Sequence, residues 1–207
     1  MNIGVLDYGA GNLKNVCRAI EHLGYRYKLL SSVDDFQNVD KLVIPGVGAY
    51  KVAMDQLIEL GLIESIKLLS EKGVPILGIC LGMQLLFEES SEYGRTQGLG
   101  LLRGHVDSIP LVSEGGERIK VPHIGWNELI IDNLGNDIVE GICPDDAVYF
   151  VHSFKANVFD KEDLIAHCVY GDQLLPSVVN KKNIFGCQFH PEKSGGIGLK
   201  IFNNFLK

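Results

Sequence analysis

The sequence predicts one α/β domain over residues 1–207, in which helices flank a central, mostly parallel sheet that continues into an antiparallel extension. Short apolar runs alternate with helical patterns in the first half of the chain, which is typical of parallel sheets. After Gly94 the strand candidates are shorter and are separated by turn residues, as in antiparallel sheets. The hydrophobic content is 46% and the chain has no linker or repeat, so one substantial core is expected.

The elements of the first half follow from the spacing of the apolar residues. Four short apolar runs indicate strands, at residues 3–7, 27–30, 42–44 and 74–79. Helical spacing covers residues 13–23, 49–69 and 83–89. Because parallel strands need long crossover connections, we expect these helices on both faces of the sheet.

The second half supplies the antiparallel part of the predicted sheet. Strand candidates lie at residues 103–108, 128–131, 147–151, 164–170 and 177–179. Residues 177–180 and 183–189 predict a hairpin that brings the chain to His190, and a last helix is expected over residues 197–206.

Composition limits the class of function. The formal net charge of -7 argues against nucleic acid or an anionic membrane as a partner, since both need a basic surface. The five cysteines form neither a C-x-x-C pair nor a metal-type spacing with histidine, so we expect reduced thiols, no metal and no cofactor. The N-terminal residues resemble no secretion signal, and a soluble, cytoplasmic protein with a small substrate or a protein partner is expected.

A cysteine stands between two glycines directly after the fourth apolar run, in Gly78-Ile79-Cys80-Leu81-Gly82. This strand-to-helix turn resembles a nucleophile elbow, in which glycines permit a sharp turn that exposes the side chain. Unpaired N–H groups at a helix start favour negative charge and therefore the attacking thiolate. A small core cysteine would explain Cys80 equally well, so a partner base must decide.

That base is supplied by His190 at the end of the predicted hairpin, followed by Pro191 and Glu192. His190 is expected to take the proton of Cys80 and return it to the leaving group, while Glu192 orients the imidazole. A lone histidine at a strand end is more often structural. Together with the elbow it predicts a Cys80–His190–Glu192 catalytic triad.

These residues resemble the class I, triad-type glutamine amidotransferases, whose signature is a G-x-C-x-G elbow followed later by His-x-Glu. The resemblance implies hydrolysis of the glutamine amide through a γ-glutamyl thioester, with release of ammonia to a synthase. It implies oxyanion donors at Val47, Gly48 and Leu81. The substrate-binding residues that it implies are Gly48, Leu81, Gln84, Glu92, His152 and Ser153. For Glu92 a solvated charge at the end of an exposed helix is the competing interpretation.

Further motifs narrow the resemblance, namely D-Y-G-x-G-N-L at residues 7–13, P-G-V-G at 45–48, P-H-x-G-W-N at 122–127 and Y-F-V-H-S at 149–153. With the elbow and H-P-E-K-S at residues 190–194, they are similar to the glutaminase subunits of imidazole glycerol phosphate synthases. The resemblance implies a heterodimer with a (βα)8-barrel cyclase subunit. The residues expected at that interface are Asn12, Asn15, Arg18, Trp126 and Lys193.

Several alternatives stay open at the level of sequence. A packing role in the core competes with an interface role for Trp126. Tyr50, Ile124 and Phe154 depart from the residues usual in the family, and we expect these changes to tune the interface. A similar glutaminase could serve the amidination of surface sugars. A cysteine peptidase or γ-glutamyl hydrolase could use the same triad, and a scaffold that has lost catalysis would show a broken one.

Overall fold

The computed structural model describes residues 1–207, and its first half alternates strands with helices as the apolar spacing predicts. The elements in chain order are β1 (Ile3–Leu6), α1 (Leu13–His22), β2 (Tyr27–Leu30), β3 (Lys41–Ile44), α2 (Tyr50–Glu59), α3 (Ile63–Glu71), β4 (Ile76–Ile79) and α4 (Leu81–Leu85). None of the helices in the structure has the length and apolar character needed to cross a membrane.

The second half is built mainly of strands. In chain order these elements are β5 (Glu89–Ser90), β6 (Thr96–Gln97), β7 (Gly104–Ser108), β8 (His123–Glu128), β9 (Ile130–Ile131), β10 (Ala147–His152), β11 (Phe154–Val158), β12 (Leu164–Tyr170), β13 (Gln173–Lys181), β14 (Ile184–Cys187) and the final helix α5 (Gly195–Leu206).

The central sheet has eight strands in the order β2-β1-β3-β4-β14-β13-β12-β9. The pairs from β2 to β14 are parallel, and the pairs from β14 to β9 are antiparallel. The predicted fold class, a mostly parallel sheet flanked by helices with an antiparallel extension, is therefore confirmed. Two smaller sheets, β10-β8 and β11-β7-β5-β6, lie outside it.

Alternating side chains of the central strands divide the core into two layers, one on each face of the sheet. On β3, Val43 packs in a cluster with α1 and α5, whereas Leu42 and Ile44 pack in a second cluster with α2, α3 and α4. These strands are buried on both faces, which explains why their sequences are continuous apolar runs and do not alternate between apolar and polar residues.

The structure corrects two of the predicted helices and adds a strand that the sequence did not predict. The helix predicted over residues 49–69 is two helices, α2 and α3, because Gly61 adopts a left-handed φ of +67° that ends the first one. The helix predicted over residues 83–89 is the shorter α4, and Glu89 begins β5 instead. Strand β8 begins in P-H-x-G-W-N, where polar residues and a glycine obscure the alternation. The single strand predicted over residues 128–131 is divided between the end of β8 and β9.

Candidate active site

The predicted triad residues lie at the carboxyl ends of two neighbouring parallel strands. Strand β4 leads into Cys80, and β14, paired with it in parallel, leads through two further residues to His190. Ligands of α/β proteins commonly bind at this edge of the sheet. The pairing brings together residues that are far apart in sequence.

Cys80 occupies a strained backbone conformation at the predicted elbow, with φ 55° and ψ -110°. A non-glycine residue rarely adopts this region, so the surrounding structure must hold it there. The Cys80 N–H donates to Cys187 O at 2.7 Å, which ties the turn to β14. The backbone around the two elbow glycines, Gly78 and Gly82, leaves no room for a Cβ at either position. A Cβ at Gly82 would lie 1.8 Å from Ile44 O.

His190 and Glu192 form the second half of the site. The His190 Nδ1 lies 2.9 Å from Glu192 Oε1, and both side chains are buried. A proton on Nδ1 donates to the carboxylate, which leaves Nε2 as the atom that faces the cysteine side of the site. His190 Nε2 has no hydrogen-bond partner, and neither has the other carboxylate oxygen, Glu192 Oε2.

The protonation of His190 is set by opposing effects. Burial alone lowers its pKa, but the Cys80 sulfur nearby and the Glu192 carboxylate outweigh burial and raise the pKa to about 9. The imidazolium is therefore favoured at neutral pH. A cation near a cysteine sulfur is the arrangement that cysteine nucleophiles use.

A cleft of about 420 Å³ lies over the cysteine and brings the predicted substrate residues together. Its lining includes the predicted residues Val47, Gly48, Cys80, Leu81, Gln84, Glu92, His152, Ser153, His190 and Lys193. Tyr93, Pro122, Val151 and Phe154 complete it. All the residues predicted to bind substrate or stabilise an oxyanion thus line one cleft.

The predicted oxyanion donors are not free in this structure. Leu81 N donates to Gly46 O at 3.3 Å. Because the C=O and N–H of one planar trans peptide point in opposite directions, Val47 N–H points away from Leu81 N. The loop 45–48 therefore presents a carbonyl oxygen where the chemistry needs a donor.

Gln84 and Glu92 both have protein partners. Gln84 Nε2 donates to Phe154 O at 3.1 Å and to Gln188 Oε1 at 3.0 Å, so both of its donors are used. Glu92 lies in a turn after β5, and its Oε2 accepts from Tyr50 N at 2.6 Å. The alternative of an exposed helix end for Glu92 is therefore wrong, since α4 ends at Leu85.

His152 forms a buried pair with His123. The His152 Nε2 lies 3.1 Å from His123 Nδ1, and its Nδ1 lies 2.8 Å from Phe154 O, which requires the neutral ring to carry its proton on Nδ1. Burial lowers the pKa of both rings to about 4. His152 is thus held in one orientation beside the cleft.

The residues predicted at a partner interface have different surroundings, and of the five only Lys193 lines the cleft. Trp126 is 59% exposed, so the alternative of a core role is wrong. Its ring packs edge to face on Tyr149, whose carbonyl accepts from His190 N at 3.1 Å. Arg18 and Lys193 are exposed and Asn15 is half-buried. Asn12 Nδ2 lies 3.5 Å from Glu192 Oε1, which places it against the triad itself.

The departures from the family pattern have different surroundings. Ile124 is exposed and Phe154 lines the cleft. Tyr50 is fully buried and its hydroxyl has no hydrogen-bond partner, so the expectation that it tunes an interface is wrong.

Sequence reasoning missed three side chains that support the site. Gln188 lies beside the cysteine, with Nε2 3.8 Å from Cys80 Sγ. The Tyr8 hydroxyl donates to Pro45 O at 2.8 Å at the start of the oxyanion loop. Ser194 Oγ donates to His190 O at 2.7 Å and accepts from Tyr149 N at 2.9 Å. Tyr8 and Ser194 stand inside motifs named above and Gln188 lies at the end of the predicted hairpin, but the partners Pro45, Tyr149 and Cys80 are distant from them in the chain.

Comparison with known proteins identifies relatives over the full chain. The family model described as glutamine amidotransferase class-I matches residues 4–207. "Imidazole glycerol phosphate synthase subunit HisH 1" of Legionella pneumophila (strain Lens) is 43% identical over 210 residues, which cover 100% of this chain and 99% of the relative. The subunit HisH of Caldanaerobacter subterraneus subsp. tengcongensis is 47% identical, with 98% and 96% covered.

Solved structures agree on the fold. A crystal structure of a glutamine amidotransferase superposes with a TM-score of 0.74 at 20% identity, covering 99% of this chain and 96% of the other. The structure of PurLQS from Thermotoga maritima gives a TM-score of 0.74 at 21% identity, covering 99% and 97%.

Proposed function

The chain belongs to the class I glutamine amidotransferase family, and from this premise we propose that it is the glutaminase subunit of an imidazole glycerol phosphate synthase. The full-length relatives that carry this subunit name support the proposal. We propose that residues 1–207 act as one amidotransferase domain, which the family match over residues 4–207 supports. The proposed partner is a (βα)8-barrel cyclase subunit, and the proposed substrate is L-glutamine.

One observation carries the catalytic proposal: a strained cysteine at the end of β4 lines the same cleft as His190, which is hydrogen-bonded to the buried Glu192 after β14. In the proposed reaction the Cys80 thiolate attacks the side-chain amide carbon of glutamine and forms a tetrahedral oxyanion. His190 then gives its proton to the departing nitrogen, and ammonia leaves from a γ-glutamyl thioester.

Water completes the proposed cycle. His190, now neutral, takes a proton from water as the hydroxyl attacks the thioester carbonyl. The carbon–sulfur bond breaks, glutamate leaves, and the thiolate–imidazolium pair is restored. Glu192 stabilises the imidazolium through Nδ1 in both halves of the cycle.

The oxyanion loop is the proposed point of control. The hydrogen bond from Leu81 N to Gly46 O occupies the required donor, so we propose that the Gly46–Val47 peptide rotates before efficient turnover. In the proposed complex, binding of the acceptor ribotide to the barrel drives this rotation. The isolated chain is then nearly inactive, which prevents waste of glutamine.

The proposed acceptor reaction determines the products and the location. Ammonia passes to a phosphorylated ribotide on the barrel, giving imidazole glycerol phosphate for histidine synthesis and an aminoimidazole carboxamide ribotide. We propose a cytoplasmic location, where such phosphorylated intermediates are kept.

Replacement of the nucleophile tests the proposal. We expect Cys80→Ala to abolish glutamine-dependent synthesis by the complex with the barrel subunit while ammonia-dependent synthesis continues. The two rates are measured with the same complex, with Cys143→Ala as the control because this cysteine is exposed and far along the chain. Equal loss of both activities would contradict a role limited to ammonia supply.

The acceptor is tested separately by adding the barrel subunit and its ribotide to the wild-type chain. We expect glutaminase activity to rise, because the occupied barrel favours the rotated loop. Full glutaminase activity in the lone chain would refute this coupling, and activation only by a sugar-amidating partner would support the alternative pathway.

A further inference from the structure

A buried amide that the catalytic steps above do not use lies against the nucleophile. Gln188 is 1% exposed, and its Nε2 lies 3.8 Å from Cys80 Sγ. We propose that Gln188 is a positioning residue, whose amide donates a hydrogen bond to the Cys80 sulfur, holds its orientation and stabilises the thiolate. The inference rests on the proposed function, in which Cys80 is the nucleophile.

The hydrogen-bond network determines which end of the Gln188 amide faces the sulfur. Phe154 O only accepts, so the Gln84 atom 3.1 Å from it must be the Nε2 donor. The same Gln84 nitrogen lies 3.0 Å from the Gln188 amide, which must therefore present its oxygen there. The Gln188 nitrogen is left to face Cys80, and flipping either amide would set donor against donor or acceptor against acceptor.

The backbone of Gln188 is held as firmly as its side chain. Gln188 N donates to Ser177 O at 2.9 Å, which continues the pairing of β14 with β13 by one residue. The residue before Gln188 holds the cysteine, because Cys80 N donates to Cys187 O. The cysteine and the amide are therefore attached to the same strand end, and their separation does not depend on a mobile loop.

A hydrogen-bond donor at this position stabilises the thiolate of Cys80 more than its thiol. The thiol can donate toward Val151 O, 4.0 Å from Sγ, but the thiolate can only accept. Cys80 is 5% exposed, so few water molecules can solvate the anion. A buried anion needs hydrogen-bond donors from the protein, and Gln188 supplies one without adding charge.

Other groups also act on the sulfur and must be separated from Gln188. His190 from the segment after β14 is the principal cation, and Glu192 acts through it. Tyr8 from the loop after β1 carries a hydroxyl whose pKa is raised first by burial and then by the Cys80 charge. His152 on β10, Glu92, Tyr93 and Lys193 are the other titratable groups that line the cleft with Cys80. Replacing Gln188 leaves all of these in place.

The test measures the reactivity of Cys80 itself in the full chain. Wild type, Gln188→Leu and Gln188→Glu are made in a Cys143→Ala background, which removes the exposed cysteine. The rate of alkylation of Cys80 by iodoacetamide is followed from pH 6 to 10 by peptide-resolved mass spectrometry. Ser177→Ala is the matched control, because it removes a buried hydroxyl on the neighbouring strand and leaves the amide in place.

We expect Gln188→Leu to move the midpoint of the pH profile up by about one unit, equivalent to about 1.4 kcal/mol, and to slow alkylation about tenfold at pH values below the wild-type midpoint. Gln188→Glu can still accept from Gln84, but its carboxylate repels the thiolate, so it should react more slowly than Gln188→Leu at pH 8. Ser177→Ala should lose thermal stability without a change in the profile.

An unchanged pH profile in both Gln188 variants, with only a lower melting temperature, would overturn the inference. So would Gln188→Glu reacting as fast as wild type, which also decides the case if Gln188→Leu fails to fold. If wild-type Cys80 itself shows no thiolate reactivity near neutral pH, the nucleophile assignment fails, which is a different result from a reactive Cys80 that is indifferent to Gln188.

Discussion

At the scale of single residues, the site depends on buried polar groups with few alternatives to their present partners. Cys80 keeps a strained φ of 55°, and His190 Nε2 has no other partner. The His123–His152 pair beside them is neutral because burial lowers the pKa of each ring to about 4. Strain and desolvation are thus concentrated at the cleft, as is common at functional sites.

The histidine pair has a consequence for acid stability. An unfolded histidine has a pKa of about 6.5, so a folded pKa of about 4 means that the pair stabilises the protein above pH 6.5 and loses this contribution as pH falls toward 4. We expect His123→Phe to lower the free energy of unfolding at pH 7.5 by about 1 kcal/mol, through the lost hydrogen bond to His152. The same variant should lose less stability than wild type between pH 7.5 and pH 5.

Urea unfolding at these pH values measures the effect. His190 provides an internal control, because its pKa of about 9 stabilises the fold below pH 6.5 and this contribution is lost as pH rises toward 9 in both proteins. If variant and wild type lose the same free energy of unfolding between pH 7.5 and pH 5, His123 does not titrate during unfolding.

At the scale of elements, the elbow is set by close contact between α4 and the strand edge. Gly78 faces the backbone of Gly82 and Met83, and Gly82 faces Ile44 O on β3. These contacts allow the short helix α4 to start directly after β4 and place Cys80 at the edge of the sheet. The glycines are therefore required by packing as well as by the sharp turn.

A methyl group at the second elbow glycine should be strongly destabilising. In Gly82→Ala the new Cβ would lie 1.8 Å from Ile44 O, so the backbone of α4 must move. We expect a loss of about 3 kcal/mol or more in the free energy of unfolding, together with loss of glutaminase activity. Chemical denaturation provides the measurement.

Gly196→Ala is the matched control, since this glycine lies in α5 with open space around its Cβ position. It should be neutral or stabilising by about 0.5–1 kcal/mol, because alanine favours the helix. Similar stability of Gly82→Ala and wild type would mean that the elbow is looser than its contacts indicate.

At the scale of the whole molecule, one exposed aromatic side chain links the outer surface to His190, the proposed catalytic base. Trp126 lies on β8 beside Tyr149 of β10, and the Tyr149 carbonyl accepts from the His190 backbone. A partner that covers Trp126 would therefore contact the strand pair that supports the triad. This connection supports the proposed interface.

Truncation of Trp126 tests that interface. We expect Trp126→Ala to weaken binding of the barrel subunit by about 2 kcal/mol, as for a buried aromatic hot spot, with little change in the stability of the lone chain. Ile58→Ala is the control, because Ile58 on α2 is 61% exposed, close to the 59% of Trp126. Titration calorimetry with the barrel subunit compares them, and equal affinities for both variants and wild type would remove Trp126 from the interface.

Much of the architecture was predictable because it depends on local patterns. The four apolar runs became β1 to β4, and residues 27–30 and 164–170 match β2 and β12 in full. The split between α2 and α3 was missed because glycine tolerates both a helix and its end, and only packing decides which occurs. Strand β8 was missed because its pairing with β10 is a long-range contact.

The sequence by itself determined the family of this protein and the chemistry that we propose for it, through a cysteine between glycines, a histidine with a carboxylate two residues on, and the motifs around them. Those features are local, so the spacing of residue types is enough to find them. Only the tertiary structure decided how the parts face one another. It turned Gly46 O toward Leu81 N, used both donors of Gln84 inside the protein, and aimed the Gln188 amide at the sulfur. The orientation of a peptide or an amide depends on partners far away in the chain, and residue spacing carries no information about them.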